Sequence, residues 1–352
     1  MDEHDARRML EGEGGAAGAL ARAGLWLPGK AYGAAMRLRR AAYERGLLGS
    51  VHPGVPVISV GNLTAGGSGK TPFVVMLAEM IAELGKKPGI LLRGYRRSAA
   101  GLSDEEALYA AHCPWAAVES GSDRRASAAR AVAAGAEALL MDDGFQHLRL
   151  RRDLDVVLVD ATSPWGGGNT IPGGLLREPR AALSRAGVVA ATRSDQVVPE
   201  TLAGLLAEIR CLAPSALVLT ARHSPAVLLR LDGSTLPLDT LRERRVVALC
   251  GIARPEAFAI TLADLGAEVV RVVAGRDHSH FDRRFVEQAL SQARNDGATV
   301  VTTEKDRTKQ IFAEFADNMY GREGDEILTL GIRQTVDDKA ALQAIVARLI
   351  EA

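Results

Sequence analysis

The sequence predicts an α/β fold: a mostly parallel sheet with helices on both faces, followed by a smaller C-terminal α/β domain. Three observations predict it. From Val55 onward, short continuous apolar runs alternate with amphipathic helical patterns, as expected of strands buried on both faces. The first run opens into a glycine-rich turn that ends Gly69-Lys70-Thr71 and leads into a helical pattern. The alternation restarts near Arg244, after the segment HSPAVLLRLDGSTLPLD, which reads as a linker or small hairpin.

The chain has 352 residues, enough for one large or two medium domains, and 47% of them are hydrophobic. Its 43 basic and 43 acidic residues cancel, which gives no global pull toward nucleic acid. Cys113, Cys211 and Cys250 are scattered and form neither a metal spacing nor a disulfide framework. The opening MDEHDARRMLEGEGG is acidic and polar, unlike a secretory signal, and no apolar run reaches the ~18 residues a membrane span needs. No obligate protein partner is evident.

In chain order, residues 1–18 read as a loose tail and Leu20–Leu48 as helical, broken at Pro28-Gly29. Tyr32, Met36, Tyr43 and Leu47 share one face, with Arg39 intruding. Arg22, Lys30, Arg37, Arg39, Arg40 and Arg45 face a single acid, Glu44. Two readings fit this segment. One is a helix packed on the core; the other is an interfacial helix with Trp26 and the tyrosines at headgroup depth. Residues 1–50 are therefore set apart as tail and amphipathic helix. Residues 51–222 form the first domain and 223–352 the second, whose C-terminal helix could pack back on the first.

Strands are expected at Val57–Val60, Gly89–Leu92, Ala138–Met141, Val156–Val159, Val188–Ala191 and Ala216–Leu219. Four more follow at Val246–Cys250, Val269–Val273, Thr299–Val301 and Ile327–Leu330. Helices are expected at Phe73–Leu84, Arg124–Ala134, Glu200–Leu212, Pro255–Leu265, Arg283–Asn295 and Asp337–Ala352.

The stretch ISVGNLTAGGSGKTPFV, residues 58–74, has the strand–loop–helix context of a phosphate loop, although Thr64 stands where the usual pattern has glycine. Thr64, Ala65, Gly66, Gly67, Ser68, Gly69, Lys70 and Thr71 would cradle the phosphates of a nucleotide. Lys70 would reach the β- and γ-phosphates, and the Thr71 hydroxyl would hold Mg²⁺. Pro72 is tolerable because the first helical turn has no N–H partner to lose. The run ALLMDDGFQH ends a strand in Asp142-Asp143, a second carboxylate position for the metal. These features define a P-loop NTPase-type sheet.

Further polar clusters follow other strands: LLRGYRR at 91–97, SDEEALYA at 103–110, IPGGLLREP at 171–179, GRDHSHF at 275–281 and TTEKD at 302–306. Each alone has an ordinary reading, such as helix N-terminal acids, a solvated basic edge or a capping histidine. In this order, with GNLTAGGSGKTP, DDGFQH and GIARPEAF, they resemble the motif series of the tetraacyldisaccharide 4'-kinase family of lipid A biosynthesis. The resemblance runs from about Tyr32 to Asp306.

That resemblance implies transfer of the γ-phosphate of ATP to the 4'-hydroxyl of a tetraacylated glucosamine disaccharide 1-phosphate, with Mg²⁺. It places the reaction at the cytoplasmic face of the bacterial inner membrane, with an N-terminal helix in membrane contact. It implies Asp104 as catalytic base with His278 as its partner, Asp143 and Arg177 in the catalytic set, and Glu105 and Asp142 beside Thr71 at the metal. Asn62, Arg93, Tyr95, Gln146 and His147 are implied for the substrate. Ser103 stands where the family has glycine before the aspartate, and the 171–178 loop departs from the family's Leu-Pro-Ala-Gly-Pro-Leu-Arg-Glu, while Arg177 and the motif carboxylates are kept. A sugar hydroxyl is a weak nucleophile, so a carboxylate in reach of its proton suits the chemistry.

A different P-loop class, a metallochaperone or ATP-dependent synthetase of the SIMIBI type, is the alternative. ATRSD at 191–195 faintly resembles a guanine-reading motif, and preference for GTP would be its mark. A nucleotide-binding membrane scaffold without catalysis would show no phosphoryl transfer at all.

Overall fold

The computed structural model of the chain describes residues 10, 15–94, 104–252, 255–275, 283–309, 311–312, 314–315 and 326–351. The chain forms two compact units. Unit 1 comprises residues 1–94, 113–222 and 334–352; unit 2 comprises 95–112 and 223–333. The segment 95–112, expected in the first domain, thus counts to unit 2, and the segment after Arg333 counts to unit 1.

Unit 1 is built on seven strands: β1 (Val57–Asn62), β2 (Pro88–Leu92), β3 (Ala117–Ser120), β4 (Ala138–Asp142), β5 (Leu154–Asp160), β6 (Val188–Thr192) and the first part of β7 (Leu217–Arg230). Their order is β7-β6-β5-β1-β4-β2-β3, and every pairing is parallel. Every residue of β1, β2 and β4 is buried, so both faces of the sheet are covered. On one face Val57, Leu91, Leu139 and Met141 pack with Ala128 and Ala131 of the helix Arg124–Ala133. Toward the other side of the strand order, Val157, Val159, Val189 and Ala191 take up Leu205 and Ile209 of the helix Pro199–Leu212. The strand 117–120 was not expected. Its sequence AVES is short, half-exposed and at the sheet edge, and so carries no strong apolar period.

Unit 2 is also α/β. Strands β9 (Arg245–Cys250), β10 (Glu268–Ala274), β11 (Thr299–Thr303) and β12 (Ile327–Val336) follow the order β10-β9-β11-β12-β7, with β9, β10, β11 and β12 joined in parallel. The helix Arg283–Asp296 packs Val286, Ala289 and Leu290 against Val247, Leu249 and Val300. The helix Pro255–Asp264 packs Phe258 and Leu262 against Val246, Ala248 and Val301. Alternate residues of β9 thus serve opposite faces, as period-two strands must. HSPAVLLRLDGSTLPLD forms a hairpin: β7 turns at Asp232-Gly233 and pairs antiparallel with β8 (Thr235–Leu236).

The N-terminal segment departs from expectation. A single helix runs Gly15–Glu44, through Pro28, where a break was expected and where a loose tail was to extend to residue 18. Proline forfeits one intrahelical hydrogen bond there, but the segment is held by tertiary contact. Thr170 donates its hydroxyl to the Gly29 carbonyl, and Gly29 and Gly33, one turn apart, are buried against Thr170, Gly173 and Pro179. The face predicted to be apolar does not carry this contact: Tyr32 and Leu47 are exposed. A Cβ on Gly29 would lie 2.7 Å from the Thr170 carbonyl oxygen, whereas one on Gly24 would meet nothing within 4 Å. Gly29→Ala is therefore expected to destabilise unit 1 by about 1–3 kcal/mol. Gly24→Ala should be neutral or slightly stabilising through helix propensity. Denaturant melts of the two variants check this; equal midpoints would mean the helix is not seated at Gly29.

Candidate active site

The glycine-rich turn joins β1 to the helix Lys70–Glu83. Gly66 and Gly69 hold positive φ, 121° and 82°, a backbone shape that suits glycine. Gly69 caps the helix, so Lys70, Thr71 and Pro72 fall in the first turn, where backbone N–H groups lack intrahelical acceptors. Thr64 needs no glycine. It lies in an antiparallel bridge with Leu176, flanked by Ala65 N–H donating to the Leu175 carbonyl and Arg177 N–H to the Leu63 carbonyl. The IPGGLLREP loop is thereby zipped onto the entry of the phosphate loop, and this contact delivers Arg177.

Three charged groups meet there. The register Val60↔Asp142 sets the end of β4 beside β1 two residues before β1 runs into the loop. Asp143 follows in left-handed conformation, φ 52°. Arg177 Nη1 donates to both Asp143 carboxylate oxygens at 2.8 Å, and Lys70 Nζ lies 3.4 Å from Asp143 Oδ1 and 3.3 Å from Asn62 Oδ1. Burial opposes the Asp143 charge, but Lys70 and Arg177 outweigh it and hold the carboxyl down at about 2. Lys70 and Arg177 thus converge on one carboxylate beside the loop, two cations in reach of a phosphate chain.

Asn62, expected at the substrate, is fully buried. Its side-chain amide donates to the Gly66 carbonyl at 3.3 Å and its oxygen accepts from Lys70. Gln146 donates to the Asn62 carbonyl at 3.1 Å, and Arg39 of the N-terminal helix donates to the Gln146 carbonyl. Arg185 forks onto Glu178 at 2.8 and 2.9 Å and stacks 3.7 Å from the Phe145 ring, tying the Arg177 loop to the DDGFQH turn. Arg124, buried at the start of its helix, donates to the Leu91 and Asp142 carbonyls and so fixes the ends of β2 and β4. Arg185 and Arg124 had no sequence signal beyond being arginines near motifs.

His147 is half-buried. Burial first, then the charges of Arg124, Arg152, Arg39 and Arg149, push it down to about 4. An unfolded chain takes up this proton near pH 6.5, and the folded one only near pH 4. The sign follows: stability is full above pH 6.5 and is lost as pH falls toward 4, because the unfolded state binds more protons there. His147→Gln is expected to reduce proton uptake on unfolding by up to about one between those pH values. Melting temperature against pH measures it, and an unchanged slope would refute the assignment.

The remaining expected residues divide. Asp104 opens the helix Asp104–His112 of unit 2, and Glu105 follows it; the Asp104 side chain, Tyr95 and His278 lie outside the described residues. In unit 2 that helix is held by fully buried Tyr109 and by His112, 3.5 Å from Glu304 of TTEKD. Asp306 of the same motif is buried, accepts from Gly251 N–H at 2.8 Å and pairs with Lys309 at 2.7 Å. Arg93 is exposed beyond β2.

Among the described residues no cluster of three or more His, Cys, Asp or Glu side chains forms a cation cage. The donors at hand are instead the Thr71 hydroxyl and the buried Asp142 carboxylate at the phosphate loop. Such sparse, hard oxygen donors suit Mg²⁺, which keeps most of its waters and phosphate ligands. Ser68 Oγ is buried within the loop and has no hydrogen-bond partner among the described residues.

A parallel sheet with a glycine loop at the carboxyl end of its central strand, a lysine and threonine opening the next helix, and an acid pair on the adjacent strand define a P-loop nucleotide-binding enzyme. Comparison narrows the class. The tetraacyldisaccharide-1-P 4'-kinase (LpxK) family profile matches residues 21–351, and the chain belongs to that family. A tetraacyldisaccharide 4'-kinase of Anaeromyxobacter sp. (strain Fw109-5) is 45% identical over 302 residues, 79% of this chain and 80% of that protein. Its counterpart in Geobacter sulfurreducens is 38% identical over 322 residues, 86% and 88% of the two chains. The crystal structure of LpxK from Aquifex aeolicus in complex with ATP superposes with a TM-score of 0.71 at 26% identity, over 94% of this chain and 99% of that one. The chain is thus an ATP-binding kinase of lipid A biosynthesis, and the SIMIBI alternative falls away.

Proposed function

We propose that this enzyme transfers the γ-phosphate of ATP to the 4'-hydroxyl of tetraacyldisaccharide 1-phosphate. The observation that carries the reading is the Lys70–Asp143–Arg177 cluster set against the phosphate loop, in a chain of this family. Residues 64–71 bind the phosphates of ATP through backbone N–H groups. Lys70 and Arg177 hold the charge of the transferring group, exchanging Asp143 for phosphate oxygens as it arrives. Asp104 accepts the 4'-hydroxyl proton as the sugar oxygen bonds to the γ-phosphorus and the bond to the ADP oxygen breaks, and His278 orients that carboxylate. Thr71 and Asp142, with Glu105, would hold Mg²⁺, which when bound neutralises charge on the β- and γ-phosphates.

The acceptor is a lipid, and the N-terminal helix fits its surface. Trp26 is 50% exposed, Leu27 69% and Leu38 72%, among the basic residues Lys30, Arg37 and Arg40; just past the helix end, Leu47 is 75% exposed beside Arg45. No described helix is long and apolar enough to cross a membrane. The reading is a helix lying in the cytoplasmic face of the inner membrane, apolar side chains in the acyl boundary and arginines at lipid phosphates. The test is incorporation of label from γ-labelled ATP into detergent-dispersed disaccharide 1-phosphate. Label at the 4' position, absent with Lys70→Ala, supports the assignment; ATP binding without lipid label would defeat it.

A further inference from the structure

Three consecutive carbonyls of the phosphate loop are each taken by a side chain. The Gly66 carbonyl accepts from Asn62 at 3.3 Å, the Gly67 carbonyl from Arg193 Nη2 at 3.2 Å, and the Ser68 carbonyl from Thr192 Oγ1 at 3.1 Å. Arg193 is itself buried, and its other guanidinium nitrogen is paired with the Asp160 carboxylate. Asp160 ends β5, Thr192 ends β6, and Arg193 follows in left-handed conformation, φ 53°. Asp160 is also fixed from its own turn: its Oδ1 accepts from the Thr162 hydroxyl at 2.7 Å and from Thr162 N–H at 3.1 Å. This is the ATRSD stretch, which the kinase reading leaves without a role.

We propose that Asp160, Thr192 and Arg193 are positioning residues that set the phosphate loop in its ATP-receiving shape from behind. The argument is peptide geometry. A trans peptide points its C=O and the following N–H in opposite directions. Pinning the carbonyls of Gly66, Gly67 and Ser68 to side chains therefore turns the N–H groups of Gly67, Ser68 and Gly69 away from those side chains. Successive N–H groups so turned form an anion-binding concavity. A loop with two flexible positive-φ glycines would otherwise have to be ordered by the nucleotide, at a cost in affinity. The buried Arg193 charge can stay beside the loop because Asp160 balances it, so its role is to aim the backbone rather than to meet the phosphates. The inference rests on the proposed function only in taking ATP as the ligand.

The test uses the full chain without lipid. ATP affinity is read by titration, amide exchange of residues 66–69 by mass spectrometry, and melting temperature in parallel, for wild type, Thr192→Val, Arg193→Lys and Arg193→Ala. Thr192→Val removes one donor at nearly constant shape and keeps the test open should Arg193→Ala fail to fold. Arg193→Ala is expected to weaken ATP about 10- to 100-fold and Thr192→Val about 3- to 10-fold. Both should speed exchange at 66–69, and Arg193→Lys, which keeps a donor, should recover most of the loss. Lower melting temperatures with unchanged ATP affinity and unchanged exchange would overturn the proposal and leave a purely structural pair. Because no lipid is present, failure of lipid labelling and failure of this inference are separate results.

Discussion

Lys70→Ala is expected to lower kcat/KM for ATP by about 10²–10³-fold while the protein stays folded. Lys70 opens its helix and spans two acceptors, Asn62 Oδ1 at 3.3 Å and Asp143 Oδ1 at 3.4 Å. Removing it does not strand Asp143, because Arg177 still forks onto that carboxylate at 2.8 Å. The Asp143 carboxyl should rise from about 2 with one of its two cations gone, yet remain ionised at neutral pH. The loss therefore falls on phosphate binding and on the charge of the transferring group, and much less on stability. Steady-state kinetics with varied ATP, beside a thermal melt, separate the two. A collapsed melt with normal turnover in the surviving fraction would make Lys70 a structural residue.

Asp104→Asn is expected to cut kcat by about 10²–10⁴-fold, the range for losing a positioned general base, and to leave ATP affinity near wild type. The substitution keeps side-chain size and the preference of this residue type for a helix start. The helix it opens is anchored elsewhere, by buried Tyr109 and by His112 against Glu304 at 3.5 Å. The acid arm of the pH–rate profile, which reports deprotonation of the base, should vanish in the variant. Wild-type kcat in Asp104→Asn would remove Asp104 from the reaction.

The parts of the site legible in the sequence were those with local meaning. Strand, glycine turn, Lys70 and Thr71 lie within one stretch, and Asp142-Asp143 closes an unbroken apolar run, so pattern and chemistry coincide. Thr64 was puzzling only because its partner, Leu176, lies far along the chain. ATRSD has a long-range meaning of the same kind. Read locally it bears only a faint resemblance to a base-reading motif; in the fold its arginine turns to Gly67 and Asp160. The helix was expected, but not its continuity through Pro28, because what secures it there is the Thr170 hydroxyl and the close approach of two glycines to another loop, which no periodicity encodes. Strand 117–120, at the sheet edge and half-exposed, lacked the apolar run that marked its neighbours.

The path of the chain also orders its birth on the ribosome. Residues 223–333 of unit 2 are synthesised before unit 1 is complete, since unit 1 still awaits the segment from Gln334. That segment is structural to the nucleotide-binding part. Asp337 exchanges hydrogen bonds with the Thr220 backbone at 3.0 and 3.1 Å, and Gln343 of the helix Lys339–Glu351 reaches Glu83, at the far end of the helix that Lys70 begins. Domains usually mature in the order of translation; here the phosphate loop is made early and its supporting layer is made late. A nascent chain stalled before residue 334 thus carries the whole glycine-rich loop without the layer behind its helix, and a premature stop there yields an unfinished unit 1 rather than a kinase lacking an appendage.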